Sequence, residues 1–266
     1  TKRGKIGDAV ITVDAKWGSN SRSVPNYDVM KNPATYLEKA YESIYNSQFY
    51  SAKYQGDATH ANAYANTYLP SNSYGGVGYQ IYTVPQGESV IGMDGKLNPK
   101  ATLGYSDGAY FYTPDDWYEE LFNKGNIRQE YNATISGATE KLSYYMSGGY
   151  LDDSGLIAGS GFTRYSARVK ADYQAKTYLK LGANMAYTNY DMQSPANQDA
   201  NAGLSSANLF YISNNIAPVY PMYSRNSDGS IRKDSRGYTV YDFGDRTTGG
   251  NFKRTFMSGS NPAAMV

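Results

Sequence analysis

Residues 164–173 read Arg164-Tyr165-Ser166-Ala167-Arg168-Val169-Lys170-Ala171-Asp172-Tyr173. Every second side chain, from Tyr165 through Ala167, Val169 and Ala171 to Tyr173, is apolar or aromatic, and every intervening one is polar. Successive side chains of a β-strand point to opposite faces, so a strict period of two marks a strand whose faces meet different surroundings.

Four further stretches repeat the pattern on either side of this one. From Asp8 to Trp17, the residues Ala9, Ile11, Val13, Ala15 and Trp17 oppose Asp8, Thr12, Asp14 and Lys16. From Ile127 to Ser136, Ile127, Tyr131, Ala133 and Ile135 oppose Arg128, Glu130, Asn132, Thr134 and Ser136. Leu142 to Leu151 is a blurred case, with Tyr on both faces and a Gly148-Gly149 pair. Leu179, Leu181, Ala183, Met185 and Tyr187 then alternate with Lys180, Gly182, Asn184 and Thr188. Each stretch is roughly 9–12 residues long, the length that crosses a bilayer as a tilted strand.

The connections alternate in length. Gly137-Ala138-Thr139-Glu140 and the stretch from Ala175 to Tyr178 are short, whereas Gly18 to Asn126, Asp152 to Gly161 and Met192 onward are long. Short turns at one end and long loops at the other are the mark of an outer-membrane barrel. A soluble antiparallel sheet packed on a core would alternate as well. Against it, the apolar faces are largely Ala, Val and Tyr, and no second set of core elements is evident. The fold expected is all-β, a transmembrane antiparallel β-barrel that five strands leave incomplete, since closure takes at least about eight. The chain is therefore expected to be a fragment, or to be completed by another polypeptide.

Composition narrows the function. Lys+Arg 25 against Asp+Glu 24 gives a net charge of +1, which offers nucleic acid no basic surface. Mean hydropathy is -0.62, and no apolar run is long enough for a membrane-spanning helix. With no cysteine, neither disulfides nor a thiolate metal site is possible. Thr1-Lys2-Arg3-Gly4-Lys5 leads into no apolar stretch, so no signal peptide is expected there. The chain holds 29 Tyr but only 8 Phe and 2 Trp, and an apolar ring with a wet hydroxyl suits a membrane interface.

Within the first long connection, Asn32 is a natural N-cap and Pro33 fits the first helical position. Tyr36, Leu37, Ala40, Tyr41, Ile44 and Tyr45 then form one apolar stripe, predicting a single helix near 33–46. The rest of that connection, including Gly75-Gly76-Val77-Gly78, reads as loop. Ser227-Asp228-Gly229-Ser230 reads as a hairpin turn between Tyr220–Tyr223 and the stretch from Ile231.

Candidate chemistry is sparse. Asp115, Asp116, Glu119 and Glu120 could be imagined as paired for acid–base work, but they lie in a charged segment at the entrance to the second strand, and a solvated helical turn is the preferred reading. His60 is the only histidine, so neither a triad nor a multi-histidine metal site can be assembled. Asp94-Gly95-Lys96-Leu97-Asn98 lacks the oxygen spacing of a calcium loop, and Gly75 to Gly78 lacks the Lys-Ser/Thr of a phosphate loop. No catalytic residue, metal site or cofactor is expected. The candidate substrate-binding residues are aromatic and amide side chains of the long connections: Tyr79, Tyr82, Tyr105, Tyr110 and Tyr112 in the first, and Tyr211, Asn214 and Asn215 beside Phe210 in the last. Tyr faces stack on sugar rings or contact peptides and Asn directs hydrogen bonds. Packing of the loops on themselves would use the same residues.

Several segments resemble one known family. Thr1-Lys2-Arg3-Gly4-Lys5 resembles the exit from the plug domain in SusC/RagA-type TonB-dependent transporters. Asp116-Trp117-Tyr118-Glu119-Glu120-Leu121-Phe122 resembles that family's DWYDELF-like element. The run from Tyr131-Asn132-Ala133-Thr134-Ile135-Ser136-Gly137 through Gly149-Tyr150-Leu151 to Arg164-Tyr165-Ser166 is similar to its long strand block. Lys180-Leu181-Gly182-Ala183-Asn184, Tyr241-Asp242-Phe243-Gly244 and Asn261-Pro262-Ala263-Ala264 continue the resemblance in order.

The resemblance implies a layout: the end of a plug segment at 1–7, the first barrel strand at 8–17, and an extracellular loop at 18–126. Strands two to five follow at 127–191, with a further extracellular loop at 192–266. It also implies the bacterial outer membrane and TonB-dependent import of an oligomeric nutrient, with oligosaccharide favoured over peptide. The implied partners are membrane lipid, a SusD-like surface lipoprotein as lid, and TonB acting through parts outside these residues. A homodimer of the transporter–lipoprotein pair is compatible with it. The competing reading is a passive porin or surface adhesin without energy coupling.

Overall fold

The computed structural model describes residues 6–23, 28–123, 125–194, 209–259 and 261–265. The chain forms two compact units, one from Thr1–Pro25 with Phe122–Ala196 and the other from Asn26–Leu121 with Asn197–Val266. The Thr1–Lys5 segment that resembles a plug exit lies outside the described residues.

The first unit is a five-stranded antiparallel sheet. Its strands are β1 (Gly7–Gly18), β2 (Arg128–Ala138), β3 (Leu142–Ser154), β4 (Gly161–Lys176) and β5 (Leu179–Gln193), paired in chain order. Directly opposed residues of antiparallel strands share a face, so the register reveals each face as rows. One row runs Val13, Ala133, Gly148, Ala167, Tyr187, and the next runs Ile11, Ile135, Met146, Val169, Met185. The rows between them belong to the other face: Asp14, Asn132, Gly149, Ser166, Thr188, then Thr12, Thr134, Ser147, Arg168, Ala186.

This register resolves the blurred third stretch. Leu142, Tyr144, Met146, Gly148 and Tyr150 lie in the apolar rows, while Tyr145, opposite Ser136 and Lys170, lies on the polar face. Most of the apolar face stands open. Val13, Val169, Leu181 and Tyr187 are exposed, and Met185 is 73% exposed. Among the described residues, β1 and β5 each pair with a strand on one side.

Two turns at one end are tight. Between β2 and β3 the Thr139 N–H donates to the Leu142 carbonyl (2.7 Å), while the Thr139 Oγ1 accepts from the Leu142 N–H (3.0 Å). Residues 177–178 join β4 to β5 after a bulge at Gln174/Lys176. At the opposite end, the β3–β4 connection is shorter than expected. It spans residues 155–160 only, because β3 continues to Ser154, and the Gly155 N–H closes it onto the Ser160 carbonyl (3.0 Å).

The second unit corrects the view that the long connections are loops. Residues 26–121 and 197–266 share one core that includes Leu37, Ile44, Tyr79, Ile91, Tyr112, Val219 and Tyr220. Helix α1 (Pro33–Phe49) begins where expected, with the Asn32 side chain accepting from the Ala34 (2.8 Å) and Thr35 (3.3 Å) amides. It is not the only helix. Helix α2 (Ala58–Tyr68), capped by Asp57, packs on α1 through Ala61 and Ala65. Its buried stripe is alanine, which gives a weak hydrophobic period. Short helices α3 (Trp117–Leu121) and α4 (Leu209–Asn215) follow. The hairpin turn at 227–230 forms as the sequence predicts, with the Asn226 N–H donating to the Ser230 carbonyl (2.8 Å).

Candidate functional site

Three of the motifs that carry the resemblance, around Trp117, Asp242 and Asn261, converge in the second unit. The Trp117 indole N–H donates to the Tyr220 carbonyl (3.0 Å), and the Tyr220 hydroxyl donates to the Val77 carbonyl (2.8 Å). The Asp242 carboxylate accepts from the Tyr79 hydroxyl (2.9 Å to each oxygen) and from the Gly244 amide (2.6 Å). The Asn261 amide bridges the Met222 and Asp242 carbonyls (2.8 and 2.9 Å). Arg254, 1% exposed, donates to the Asp242 carbonyl (3.0 Å) and lies over the Trp117 ring at 5.4 Å. Gly244 is required twice over. Its φ is +69°, and a Cβ there would meet the Arg254 side chain at 1.9 Å. These motif residues are thus the polar frame of the unit.

Burial raises the Asp242 pKa to about 6, although Gly244, Arg254 and Tyr79 all favour its charged form. The Tyr79 hydroxyl is pushed above its ordinary range by burial and then by Asp242. Because the Asp242 pKa is raised on folding, its contribution to stability is complete below about pH 4. That contribution is lost as pH rises through about 6, a span worth on the order of 3 kcal/mol. Asp242→Asn should therefore be better tolerated relative to the parent at pH 7 than at pH 4. Denaturant midpoints of both proteins across that range measure this, and parallel profiles would contradict it.

Several sequence-predicted binding residues lie in this core instead of lining a site. Tyr79, Tyr82 and Tyr112 are buried, at 1%, 8% and 2% exposure. The Tyr112 hydroxyl donates to Asp107 (2.7 Å), and Tyr105 and Tyr110 flank its ring at 6.2 Å each. Tyr110 also packs against the Arg232 guanidinium (4.4 Å). On α4, the Asn214 and Asn215 amides donate back to the Phe210 and Tyr211 carbonyls (2.7 and 2.8 Å), so they are engaged in their own helix. Burial of a large ring tipped by a bonded hydroxyl uses the same residue type as ligand stacking, which is why the two readings coincide in sequence.

The acidic group at 115–120 is likewise engaged. Asp115 pairs with Arg225 at 2.6 Å and accepts from the Met222 amide (2.7 Å). Asp116 accepts from the Tyr118 and Glu119 amides at the start of α3, and Glu120 accepts from the Tyr223 hydroxyl (2.9 Å). Beside them opens a cleft of about 280 Å³, lined by Met30, Pro33, Leu103, Trp117, Tyr118 and Ile216 among others. Its volume approaches the roughly 300 Å³ lower bound of small-molecule sites. The part of its lining with a sequence signal is Asp116-Trp117-Tyr118, which the sequence marks as a charged turn and as a family-like element but not as a cleft.

No family model matches the chain. Among curated proteins it is similar to TonB-dependent receptor P26 of Formosa agariphila, 31% identical over 132 residues, covering 49% of this chain and 12% of that protein. TonB-dependent receptor P39 of the same organism is 28% identical over 112 residues, covering 41% and 11%. TonB-dependent receptor SusC of Bacteroides thetaiotaomicron is 28% identical over 110 residues, covering 41% and 10%.

Over up to about half of its length the chain is similar in sequence to TonB-dependent receptors, SusC among them.

It spans about a tenth of the length of these TonB-dependent receptors. Among solved structures, the RagAB peptide importer in its closed-closed state aligns with a TM-score of 0.46 and 19% identity, covering 88% of this chain and 23% of that one.

Proposed function

We propose that this chain supplies five strands of barrel wall and a folded extracellular unit to a TonB-dependent transporter of the bacterial outer membrane. The observation that carries this reading is the two-faced sheet, whose apolar rows are long, continuous and exposed. An apolar face of this extent on a folded sheet needs a partner surface, and lipid fits one flanked by tyrosines. Tyr131, Tyr150 and Tyr165 stand side by side near one end, with Trp17 donating to the Tyr131 hydroxyl (3.0 Å). Tyr144 and Tyr173 lie toward the other end. Tyr165 and Tyr173 are eight residues apart. At the rise of a strand and a tilt of about 40° that spans roughly 20 Å, close to the roughly 25 Å apolar band of such barrels.

The polar face then lines the lumen, with Arg168 donating to Asn184 (3.2 Å) across β4 and β5. The ligand is an oligomeric nutrient, an oligosaccharide in preference to a peptide, because the chain is near neutral and rich in Tyr and Asn. A SusD-like lipoprotein closes the extracellular side, TonB supplies the energy, and the chain performs no catalysis. The test is uptake of labelled glycan and peptide pools by cells carrying the full-length transporter, with and without TonB. Energy-dependent uptake together with co-purification of a surface lipoprotein is expected. Uptake that persists without TonB would show a passive pore, and ligand turned into new products would show an enzyme.

A further inference from the structure

Five rings form a continuous run along one side of the second unit: Tyr54, His60, Tyr64 and Tyr68 are half-buried, Tyr64 packing against the core, and Tyr74 is exposed. Tyr54 stacks on His60 (centroids 3.7 Å), His60 meets Tyr64 (6.0 Å), and Tyr64 meets Tyr68 (4.4 Å). His60, Tyr64 and Tyr68 are four residues apart along α2 and so occupy one helix face. Tyr74 then stands against the end of this floor, 4.7 Å from Tyr68 and 6.4 Å from Tyr64, with its ring steeply inclined to both. The result is an aromatic corner, with α2 as floor and Tyr74 as wall.

Tyr74 is the informative member. Its φ is +56°, a left-handed conformation that is strained for a bulky side chain, and the residue is 67% exposed. The surrounding loop fixes that conformation. The Gly76 N–H donates to the Ser73 carbonyl (3.1 Å), and the Val77 N–H donates to the Leu69 carbonyl (2.8 Å). A Cβ on Gly76 would lie 2.0 Å from the Tyr68 carbonyl oxygen. A position held left-handed for structural reasons alone is best filled by Gly or Asn. Here a tyrosine bears the strain and recovers little burial for it.

We propose that this corner is a carbohydrate-binding site, in which a neutral sugar ring stacks on Tyr74 and lies along the Tyr64–Tyr68 floor. The site deepens the import reading above, since it assigns the ligand class and places its first contact on the folded unit. Sugar matches the corner because stacking rings offer apolar C–H faces a partner, and tyrosine hydroxyls offer hydrogen bonds without charge. The Lys53 ammonium lies over the Tyr54 ring (4.7 Å).

The test uses the full-length transporter in detergent, titrated with malto-, cello-, laminari- and xylo-hexaoses and, separately, with a tryptic peptide pool. Tyr74→Gly and Tyr74→Asn should raise the melting temperature by relieving strain. They should also weaken binding of the preferred hexaose by about five-fold or more, the loss of one stacked ring. Tyr74→Phe keeps the ring and should retain most of the affinity. Unchanged hexaose affinity in Tyr74→Gly, or a fall in its melting temperature, would overturn the site while leaving import intact. Binding of peptides and of no hexaose by the parent protein would overturn the carbohydrate assignment. Failure of the import reading itself is read separately, from uptake that does not depend on TonB.

Discussion

Arg254→Ala is expected to destabilise the second unit by about 3–5 kcal/mol, the order of cost for removing a buried cation that offsets a nearby buried carboxylate. Arg254 is 1% exposed, and Asp242 is the largest favourable influence on its charge. Its guanidinium fills the space beside Gly244 and lies over the Trp117 and Tyr220 rings (5.4 and 6.0 Å). Truncation removes a cation, two ring contacts and a bond to the Asp242 carbonyl together, and leaves the carboxylate buried. Arg254→Lys restores the charge without the flat stacking surface and should recover only part of the loss. Denaturant unfolding of the full chain, with Trp117 fluorescence as the local probe, measures both. A loss below about 1 kcal/mol for alanine would mean that this polar frame does not hold the unit together.

The strands were legible because a two-sided environment writes itself into every second residue. Tyr165 through Tyr173 shows this without help from any partner strand. The face of β3 was not legible, since Tyr144 and Tyr145 are adjacent and equally suited to either side. Only pairing with Ala171 and Lys170 separates them. Helix α2 escaped notice because Ala61 and Ala65 bury little apolar surface each.

The core of the second unit was hidden for a different reason. Tyr79 and Asp242 are separated by 163 residues, and no local period reports a contact at that distance. Tyr79, Tyr82 and Tyr112, candidate ligand contacts by sequence, are buried in this core. Tyr79 and Tyr112 turn bonded hydroxyls inward, whereas Tyr64 and Tyr68 are half-buried and Tyr74 is exposed, a difference that no local sequence pattern reports.

Arginine placed on the apolar rows is the second large effect. Val169→Arg and Leu181→Arg should each cost roughly 2–4 kcal/mol in a bilayer near its midplane, whereas Asn184→Arg should cost far less. Val169 stands between Met146 and Met185 in an apolar row, whereas Asn184 lies opposite Lys170 on the other face. Folding of the three variants of the full-length transporter into lipid vesicles gives the comparison. Equal costs at all three positions would mean that the two faces meet the same medium.

The most direct measurement of the central claim exploits the lack of any native cysteine. Single cysteines placed in turn at residues 165 to 172 of the full-length transporter, reconstituted in nanodiscs, can be labelled with a water-soluble maleimide and with a lipid-phase quencher. The account predicts strict alternation: positions 166, 168 and 170 react with the maleimide, and positions 167, 169 and 171 meet the quencher. Uniform access to the maleimide along the strand, with no quenching at 167, 169 or 171, would contradict a barrel wall that faces lipid.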